Sequence, residues 1–121
     1  MTNESLKYIQ DVMKKEQVPY EFKEWSSDIV YPYFVGDYTE PQYNVETGLQ
    51  ESSFFITGTT KGTYSELENF KQKIKKAFNV QTVLPNGNGL AIVYGGCLNI
   101  PTGNAEMKRI QINLNIKEWE V

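Results

Sequence analysis

The chain of 121 residues contains no histidine, one cysteine (Cys97) and one arginine (Arg109). Without histidine, the side chain that most often serves as general base and metal ligand is missing. A single cysteine can form neither an internal disulfide nor a Cys/His zinc cluster. The formal net charge of −3 also gives no basic face of the kind that supplies most affinity for nucleic acid. These shortages argue against the common enzyme, metalloprotein and nucleic-acid-binding classes.

Long apolar runs are missing as well. No window approaches the roughly 18 apolar residues of a membrane-spanning helix, and the polar start MTNESLKYIQDVMKKEQ lacks the apolar region of a signal peptide. We therefore expect a soluble protein that is made and used in the cytoplasm and has no membrane partner. The length suits one α+β domain, residues 1–121, with one core.

The apolar pattern predicts two helices and five strands. One helical pattern follows Asn3, a candidate N-cap, and ends before Pro19, while a second runs from Thr63 to Phe78. Strands are predicted at 20–25, 31–38, 54–57, 90–94 and 110–117. The order α-β-β-β-α-β-β predicts an α+β fold with two helices packed on a mainly antiparallel sheet. Its core residues are predicted to be Leu6, Ile9, Val12, Leu67, Phe70, Ile74 and Phe78 on the helices and Ile110, Ile112, Leu114 and Ile116 on the last strand.

The stretch FFITGTTKGTYSELENF, residues 54–70, has the outline of a phosphate-binding loop between a strand and a helix. In that motif the lysine follows the last glycine, whereas here Lys61 precedes Gly62. Gly58 and Gly62 are also one residue too close together. Thr63 and Glu66 instead have the spacing of a capping box, in which each side chain accepts a hydrogen bond from the other residue's amide. The sequence therefore predicts a capped helix start.

Two polar or glycine-rich segments, residues 39–51 and 95–106, show no regular period. Segments of this length are unusual as mere connections in a short chain, and they are often functional or ordered by a partner. The first alternatively forms a protruding hairpin with NVETG, residues 44–48, at its tip. The tyrosines Tyr38 and Tyr43 belong to an aromatic-rich region, and tyrosine is enriched at protein interfaces. The two segments, together with the edges of the sheet, are thus predicted to mediate self-association.

Two other functions remain as alternatives. A small enzyme would have to use carboxylates or the thiol, with Asp37, Glu40 and Cys97 as candidates. The order α-β-β-β-α also occurs in double-stranded RNA-binding domains, which place a lysine cluster at the start of the second helix. Here that helix starts with Glu66 and Glu68, and its lysines lie toward the other end.

The combination of YPYFVGDYTE, SSFFITGTTKGTYSELENFKQKI and a long alternating strand at the end of the chain resembles small structural proteins of tailed bacteriophages and prophages. It is most similar to the tail-terminator and head-to-tail joining proteins of long-tailed phages, over residues 5–120. The resemblance implies an α+β fold and a non-enzymatic role, with no catalytic residue, metal or cofactor. It also implies a ring, commonly hexameric, that ends the tail tube, contacts the head connector and encloses DNA without reading its sequence.

Under this interpretation the chain works in the bacterial host cytoplasm during assembly and in the tail or neck of the virion. Its partners are other copies of itself, tail-tube proteins and head-connector proteins. The isolated protein stays monomeric if the contact between copies is smaller than about 1,000 Å² in total. The candidate interface residues come from the two irregular segments and the strand end before the first of them: Tyr38, Glu40, Tyr43, Asn44, Glu46, Leu98, Asn99 and Ile100.

Overall fold

The structure is a computed structural model that describes residues 1–41 and 46–120. Its helices are α1 (Asn3–Lys15) and α2 (Tyr64–Ala77). Its strands are β1 (Tyr20–Phe22), β2 (Tyr33–Thr39), β3 (Leu49–Thr60), β4 (Val80–Val83), β5 (Gly89–Ile100) and β6 (Lys108–Trp119). The predicted α+β fold and the predicted order of elements are confirmed, with one additional short strand, β4, directly after α2.

The described strands form one sheet of six strands in the order β1-β2-β3-β6-β5-β4. Only β1 and β2 are parallel, and the other neighbouring strands are antiparallel. The long strands β3 and β6 lie at the centre and pair from Leu49–Trp119 to Thr60–Lys108. The prediction of a mainly antiparallel sheet is therefore confirmed.

One face of the sheet is buried under the two helices. Every second residue of β6 lies on this face. Ile112 and Leu114 are fully buried, and Ile110 is 5% exposed. From the helices, Ile9, Leu67, Ile74 and Phe78 are buried, and Leu6, Val12 and Phe70 are partly buried against the same core. The predicted packing residues are thus confirmed, because the period of 2 on the strand and of 3.6 on the helices point to one common core.

Each helix is capped by the threonine that directly precedes it. The hydroxyl oxygen of Thr2, one residue before the predicted cap Asn3, accepts a hydrogen bond from the amide of Ser5 at 3.2 Å and caps α1. Thr63 caps α2 as predicted and accepts from the amide of Glu66 at 3.4 Å. The carboxylate of Glu66, however, accepts from the Thr60 hydroxyl at 3.1 Å. The second half of the predicted capping box is therefore replaced by a bond to the end of β3.

The glycine that resembled part of a phosphate-binding loop has a packing role. Gly58 lies inside β3, opposite Phe34 on β2 and Ile110 on β6. A methyl group at this position would overlap the ring of Phe34. β3 continues to Thr60, so only Lys61 and Gly62 remain to connect the strand to the cap of α2. The prediction of a capped helix start is supported by this geometry.

Both segments that were predicted to be irregular are shorter than expected. Thr39 belongs to β2, and β3 begins already at Leu49. In the second segment β5 continues to Ile100, because a β-bulge between Tyr94 and Gly96 lets pairing with β6 resume. Gly96 has φ +117°, a conformation that glycine adopts without the strain of a side chain. The prediction of irregular structure at 95–100 is wrong for this reason.

The first strand also differs from its prediction. β1 ends at Phe22 instead of Trp25, because Lys23 adopts φ 68° and turns the chain away from β2. Residues 23–32 then return to the start of β2, as the parallel pairing of β1 and β2 requires.

Candidate interaction surfaces

The predicted interface residues fall into two groups in the fold. Tyr38 lies near the end of β2, Glu40 follows that strand, and Glu46 lies in the turn before β3. Tyr43 and Asn44 lie outside the described residues. Leu98, Asn99 and Ile100 form the last part of β5.

The first group is not uniformly available to a partner. The ring of Tyr38 is partly buried and stacks on Phe22, with 6.0 Å between ring centroids and 12° between ring planes. Glu40 is exposed; its carboxylate forms an ion pair with the amino group of Met1 and accepts from the Ser52 hydroxyl at 3.5 Å. Tyr38 therefore contributes mainly to packing, and the interface reading rests more on the exposed residues after β2.

The two groups lie at opposite ends of the strands. Ile100 lies in one row across the sheet with Arg109, Thr59 and Tyr33, at the start of β2. Thr39, next to the first group, lies in another row with Ser53, Asn115 and Val93. The rows are six residues apart along β2, which corresponds to about 20 Å. One chain therefore does not bring the two groups together.

The last two thirds of β5 form a free sheet edge. β4 pairs only with residues Gly89 to Ile92, so from Val93 to Ile100 the strand has β6 on one side and no described strand on the other. One edge amide, that of Tyr94, donates to the side-chain oxygen of Asn79 at 3.0 Å. Val93 is 55% and Leu98 is 46% exposed. An open edge with exposed apolar residues is a template for pairing with another chain.

A groove separates this edge from α2. Its lining includes Tyr64, Glu68 and Lys71 on the helix and Cys97 and Asn99 on the strand. The Lys71 ammonium lies 2.7 Å from the Glu68 carboxylate, and this hydrogen bond lowers the pKa of Glu68 and raises the pKa of Lys71. Burial raises the pKa of the Cys97 thiol. At neutral pH the thiol is thus protonated, and protonated thiols are weak nucleophiles.

The residues of the enzyme alternative are dispersed. Asp37 pairs in register with Phe55 on β3, and two strands, β3 and β6, separate it from Cys97 on β5. Glu40 lies beyond the end of β2, next to Met1. The described structure therefore does not gather Asp37, Glu40 and Cys97 around one point where a substrate could bind.

A second exposed apolar surface was not predicted from the sequence. The segment Ile29–Tyr31, between β1 and β2, has Ile29 and Val30 each 58% exposed and Tyr31 37% exposed. Tyr31 is held against Tyr33 with 5.8 Å between ring centroids, and Lys61 lies over the Tyr31 ring at 5.4 Å. The available signal was the run Ile29-Val30-Tyr31 of β-forming residues before Pro32.

Among the described residues, Glu118 on β6 has the most buried carboxylate side chain, and its hydrogen bonds connect parts of the fold. The side chain is 5% exposed and accepts hydrogen bonds from the Thr2 hydroxyl at 2.8 Å and the Asn88 amide at 3.0 Å. Burial alone would raise the pKa of this carboxyl group, but the bonds from Asn88 and Thr2 outweigh burial, and the pKa is lowered. Glu118 thereby ties the start of α1 and the β4–β5 turn to the central strand.

Two kinds of site are not found in the part of the chain that the structure describes. Residues 1–41 and 46–120 contain no group of three or more Cys, Asp or Glu side chains placed to hold a metal ion. None of the described helices is long and apolar enough to cross a membrane.

Comparison with known proteins gives one kind of likeness, that of fold. No protein-family model matches the sequence, and no curated protein matches it. Among solved structures, the chain is similar to a chain from the virion of a native gene transfer agent particle, with a TM-score of 0.67 and 11% sequence identity. The alignment covers 90% of this chain and 84% of that chain. At this identity the likeness shows a shared α+β fold.

Proposed function

We propose that the chain is a non-enzymatic structural protein of a phage-like virion that assembles as a ring at the end of the tail. The observation that carries the proposal is the fold likeness to a chain of a virion particle over 90% of this chain. The sequence resemblance to tail-terminator and head-to-tail joining proteins points to the same class of particle. Tail completion and head–tail joining are the two places in such a particle that a small ring can occupy.

The distribution of exposed residues supports assembly through several surfaces. The free edge of β5 lies toward one side of the sheet, whereas Tyr31 of the exposed segment Ile29–Tyr31 lies beside Tyr33 and Lys61, at the start of β2. A ring requires that each subunit present one surface to a different surface of the next subunit. The exposed chain around Glu40, about 20 Å along the strands from the row of Tyr33 and Ile100, is then proposed as the surface for tail-tube or head-connector proteins.

The chemistry of the described residues supports a structural role over the enzyme alternative. The thiol of Cys97 is protonated at neutral pH, and Asp37 lies across two strands from it. For the RNA-binding alternative, α2 has the acidic residue Glu66 in its first turn and Lys75 and Lys76 in its last turn. This charge order is the reverse of the lysine cluster at the helix start that double-stranded RNA-binding domains use.

Electron microscopy of tail tubes mixed with the purified protein tests the proposal. We expect rings or a cap of density at one end of each tube, while light scattering of the free protein shows whether copies associate without a tube. The variant Leu98→Glu changes the exposed β5 edge and is expected to weaken capping, and Val83→Glu, at a 70% exposed position on β4, is its matched control. Tubes that remain uncapped at all protein concentrations would refute the proposal, and a shift of RNA in a gel at low salt would favour the nucleic-acid alternative.

A further inference from the structure

The two edges of the sheet match each other strand to strand. We propose that β1 (Tyr20–Phe22) of one copy pairs as an antiparallel strand with the free edge of β5 of the next copy, at residues Cys97–Asn99. This contact rests on the proposed function, because it describes how neighbouring subunits of the ring meet. It uses the sheet edges and part of the segment 95–106 named in the sequence analysis, but not the segment 39–51.

The first observation is that both edges lie at the same height along the strands. The paired residues of one row across the sheet are Tyr20, Phe34, Gly58, Ile110 and Asn99. In the same way, Glu21 lies in one row with Leu98, and Phe22 lies in one row with Cys97. A copy that is rotated about an axis along the strands and placed beside the sheet therefore brings its β1 level with residues 97–99 of β5.

The second observation is that the strand directions and the faces of the sheet agree. β1 is parallel to β2, and the pairs β2–β3, β3–β6 and β6–β5 are each antiparallel, so β1 and β5 run in opposite directions. Glu21 and Leu98 both lie in the row of Gln111, whose neighbours Ile110 and Ile112 are buried under the helices. Both middle residues thus lie on the face without helices, and the two sheets join without a shift of register.

The third observation is that β1 has backbone groups left for such a partner. The Pro19 carbonyl and the Lys23 amide form hydrogen bonds to β2 of 2.8 and 2.7 Å. Because successive residues direct their backbone groups to alternate sides of a strand, those of Tyr20 and Phe22 point away from β2. The Phe22 carbonyl accepts from the Glu24 amide at 2.9 Å, but no described strand lies on this side of β1. A strand added there would pair with the remaining groups, as in peptide binding by strand addition.

The short strands at the two edges leave room for each other. β4 pairs with β5 only at Gly89–Ile92, whereas β1 of the next copy would pair at Cys97–Asn99. In that orientation β1 runs toward β4, but Lys23, with φ 68°, turns the chain away directly after Phe22. The two short strands therefore lie end to end along β5 without overlapping.

A second copy is favoured over an unrelated peptide because one chain carries both edges at one height and in opposite directions. Such a head-to-tail contact repeats from copy to copy and closes into a ring when the rotation between copies divides a full turn. Pairing of three residues with three residues buries far less than the about 1,000 Å² of a stable contact. We therefore expect the contact to be weak in the free protein and to form where a tail tube holds neighbouring copies together.

Disulfide trapping between two full-length variants tests the register. In a Cys97→Ser background, Leu98→Cys is labelled with ¹⁵N and mixed with unlabelled Glu21→Cys under a mild oxidant, both as concentrated free protein and with tail tubes. Mass spectrometry then separates mixed dimers from self-paired ones. The matched control is Val93→Cys, which replaces an exposed residue on the same edge and face, four rows from Leu98 or about 13 Å away. Because directly opposite residues lie within reach of a disulfide, Glu21→Cys is expected to pair about tenfold faster with Leu98→Cys than with Val93→Cys.

Two results would overturn the strand assignment. One is that Glu21→Cys pairs with Leu98→Cys and Val93→Cys at equal rates, and the other is that Leu98→Cys pairs preferentially with itself, as in a symmetric dimer of two β5 edges. If the unaltered protein caps tail tubes while either result holds, the strand assignment fails and the proposed function stands. Selective pairing of Glu21→Cys with Leu98→Cys in the free protein, without capping of tubes, would have the opposite meaning.

A charge exchange gives a second measurement that needs no cysteine. Leu98→Glu would place a carboxylate opposite Glu21 of the neighbouring copy and is expected to raise the concentration needed for capping about fivefold, because like charges directly opposite each other repel. Adding Glu21→Lys to the same chain should restore capping. Within one chain the two positions are four strand spacings apart, or about 19 Å, so the rescue arises between copies. Equally weak capping by Leu98→Glu with and without Glu21→Lys would contradict the register.

Discussion

At the residue scale, the fold depends on which face of the central strands a side chain occupies. Ile112 on β6 is fully buried between both neighbouring strands and the helices, whereas Val93 on β5 is 55% exposed on the other face. Removing buried methyl groups costs the transfer free energy of the side chain and leaves a cavity. Ile112→Ala is therefore expected to lower the free energy of unfolding by about 2–5 kcal/mol, measured by urea denaturation.

The matched control is Val93→Ala, a truncation of similar chemistry on the same sheet. Because more than half of this side chain is exposed, its free energy of unfolding should change by less than about 0.5 kcal/mol. Equal effects of the two substitutions would mean that the assignment of the buried face is wrong.

Also at the residue scale, Glu118 makes the stability depend on pH. Its pKa is lower in the folded chain than the value of about 4.3 expected when unfolded. The carboxylate therefore stabilises the fold fully at neutral pH, and this contribution is lost as the pH falls below about 4.3. Glu118→Gln is expected to cost about 1–3 kcal/mol at pH 7 and to flatten the decrease in stability between neutral and acidic pH.

The control for that experiment is Glu51→Gln. The Glu51 side chain is 56% exposed, and its carboxylate lies 3.9 Å from the Lys117 ammonium, a surface pair that contributes little. Urea denaturation curves at several pH values give the comparison. If the free energy of unfolding of Glu118→Gln kept the full pH dependence of the unaltered chain, the hydrogen bonds from Thr2 and Asn88 to Glu118 would not be the cause of that dependence.

At the scale of elements, the sequence was informative wherever a pattern depends on burial. The alternation in β6 and the helical spacing in α1 and α2 predicted these elements and their core faces, because burial on one side imposes the period. The same rule does not determine where a strand ends. β5 continues past Gly95-Gly96 through a bulge, and these two residues had the composition of a loop.

The candidate surfaces were less predictable for a related reason. Whether Leu98 or Val93 lies at a free edge depends on the strand order β6-β5-β4 and on the shortness of β4, which are properties of long-range pairing. The exposed segment Ile29–Tyr31 depends on the parallel pairing of β1 with β2. The sequence marks Ile29-Val30-Tyr31 as a run of β-forming residues, but no local pattern shows which strands pair and which edge stays free.

Hydrogen exchange gives a prediction at this scale. Amides of β3 and β6 are paired on both sides along much of their length, so they should exchange slowest, through opening of the whole fold. Amides of β5 after Ile92 that point away from β6 should exchange faster in the free protein and become protected when copies assemble. Protection of these amides in the monomer at the level of β3 would contradict the free-edge description.

At the scale of the whole molecule, the two edges of the sheet differ from each other, which suits head-to-tail contacts between copies. One side ends in the short strand β1, and the other carries the short β4 and the uncovered end of β5. The exposed Ile29–Tyr31 segment lies at the start of β2, with Tyr31 beside Lys61. A chain with an open apolar edge risks uncontrolled pairing, and a closed ring removes that edge. The proposed role at the end of a tail thus gives a use to the surfaces that the fold leaves uncovered.

Immunogold electron microscopy of complete virions is the most direct test of the central claim that this chain is a ring at the tail end. Antibodies against the purified protein are bound to particles with intact heads and tails, and gold positions are measured along the tail axis. The account predicts gold confined to one position where the tail meets the head. Particles without gold, or gold spread along the whole tail tube, would contradict it.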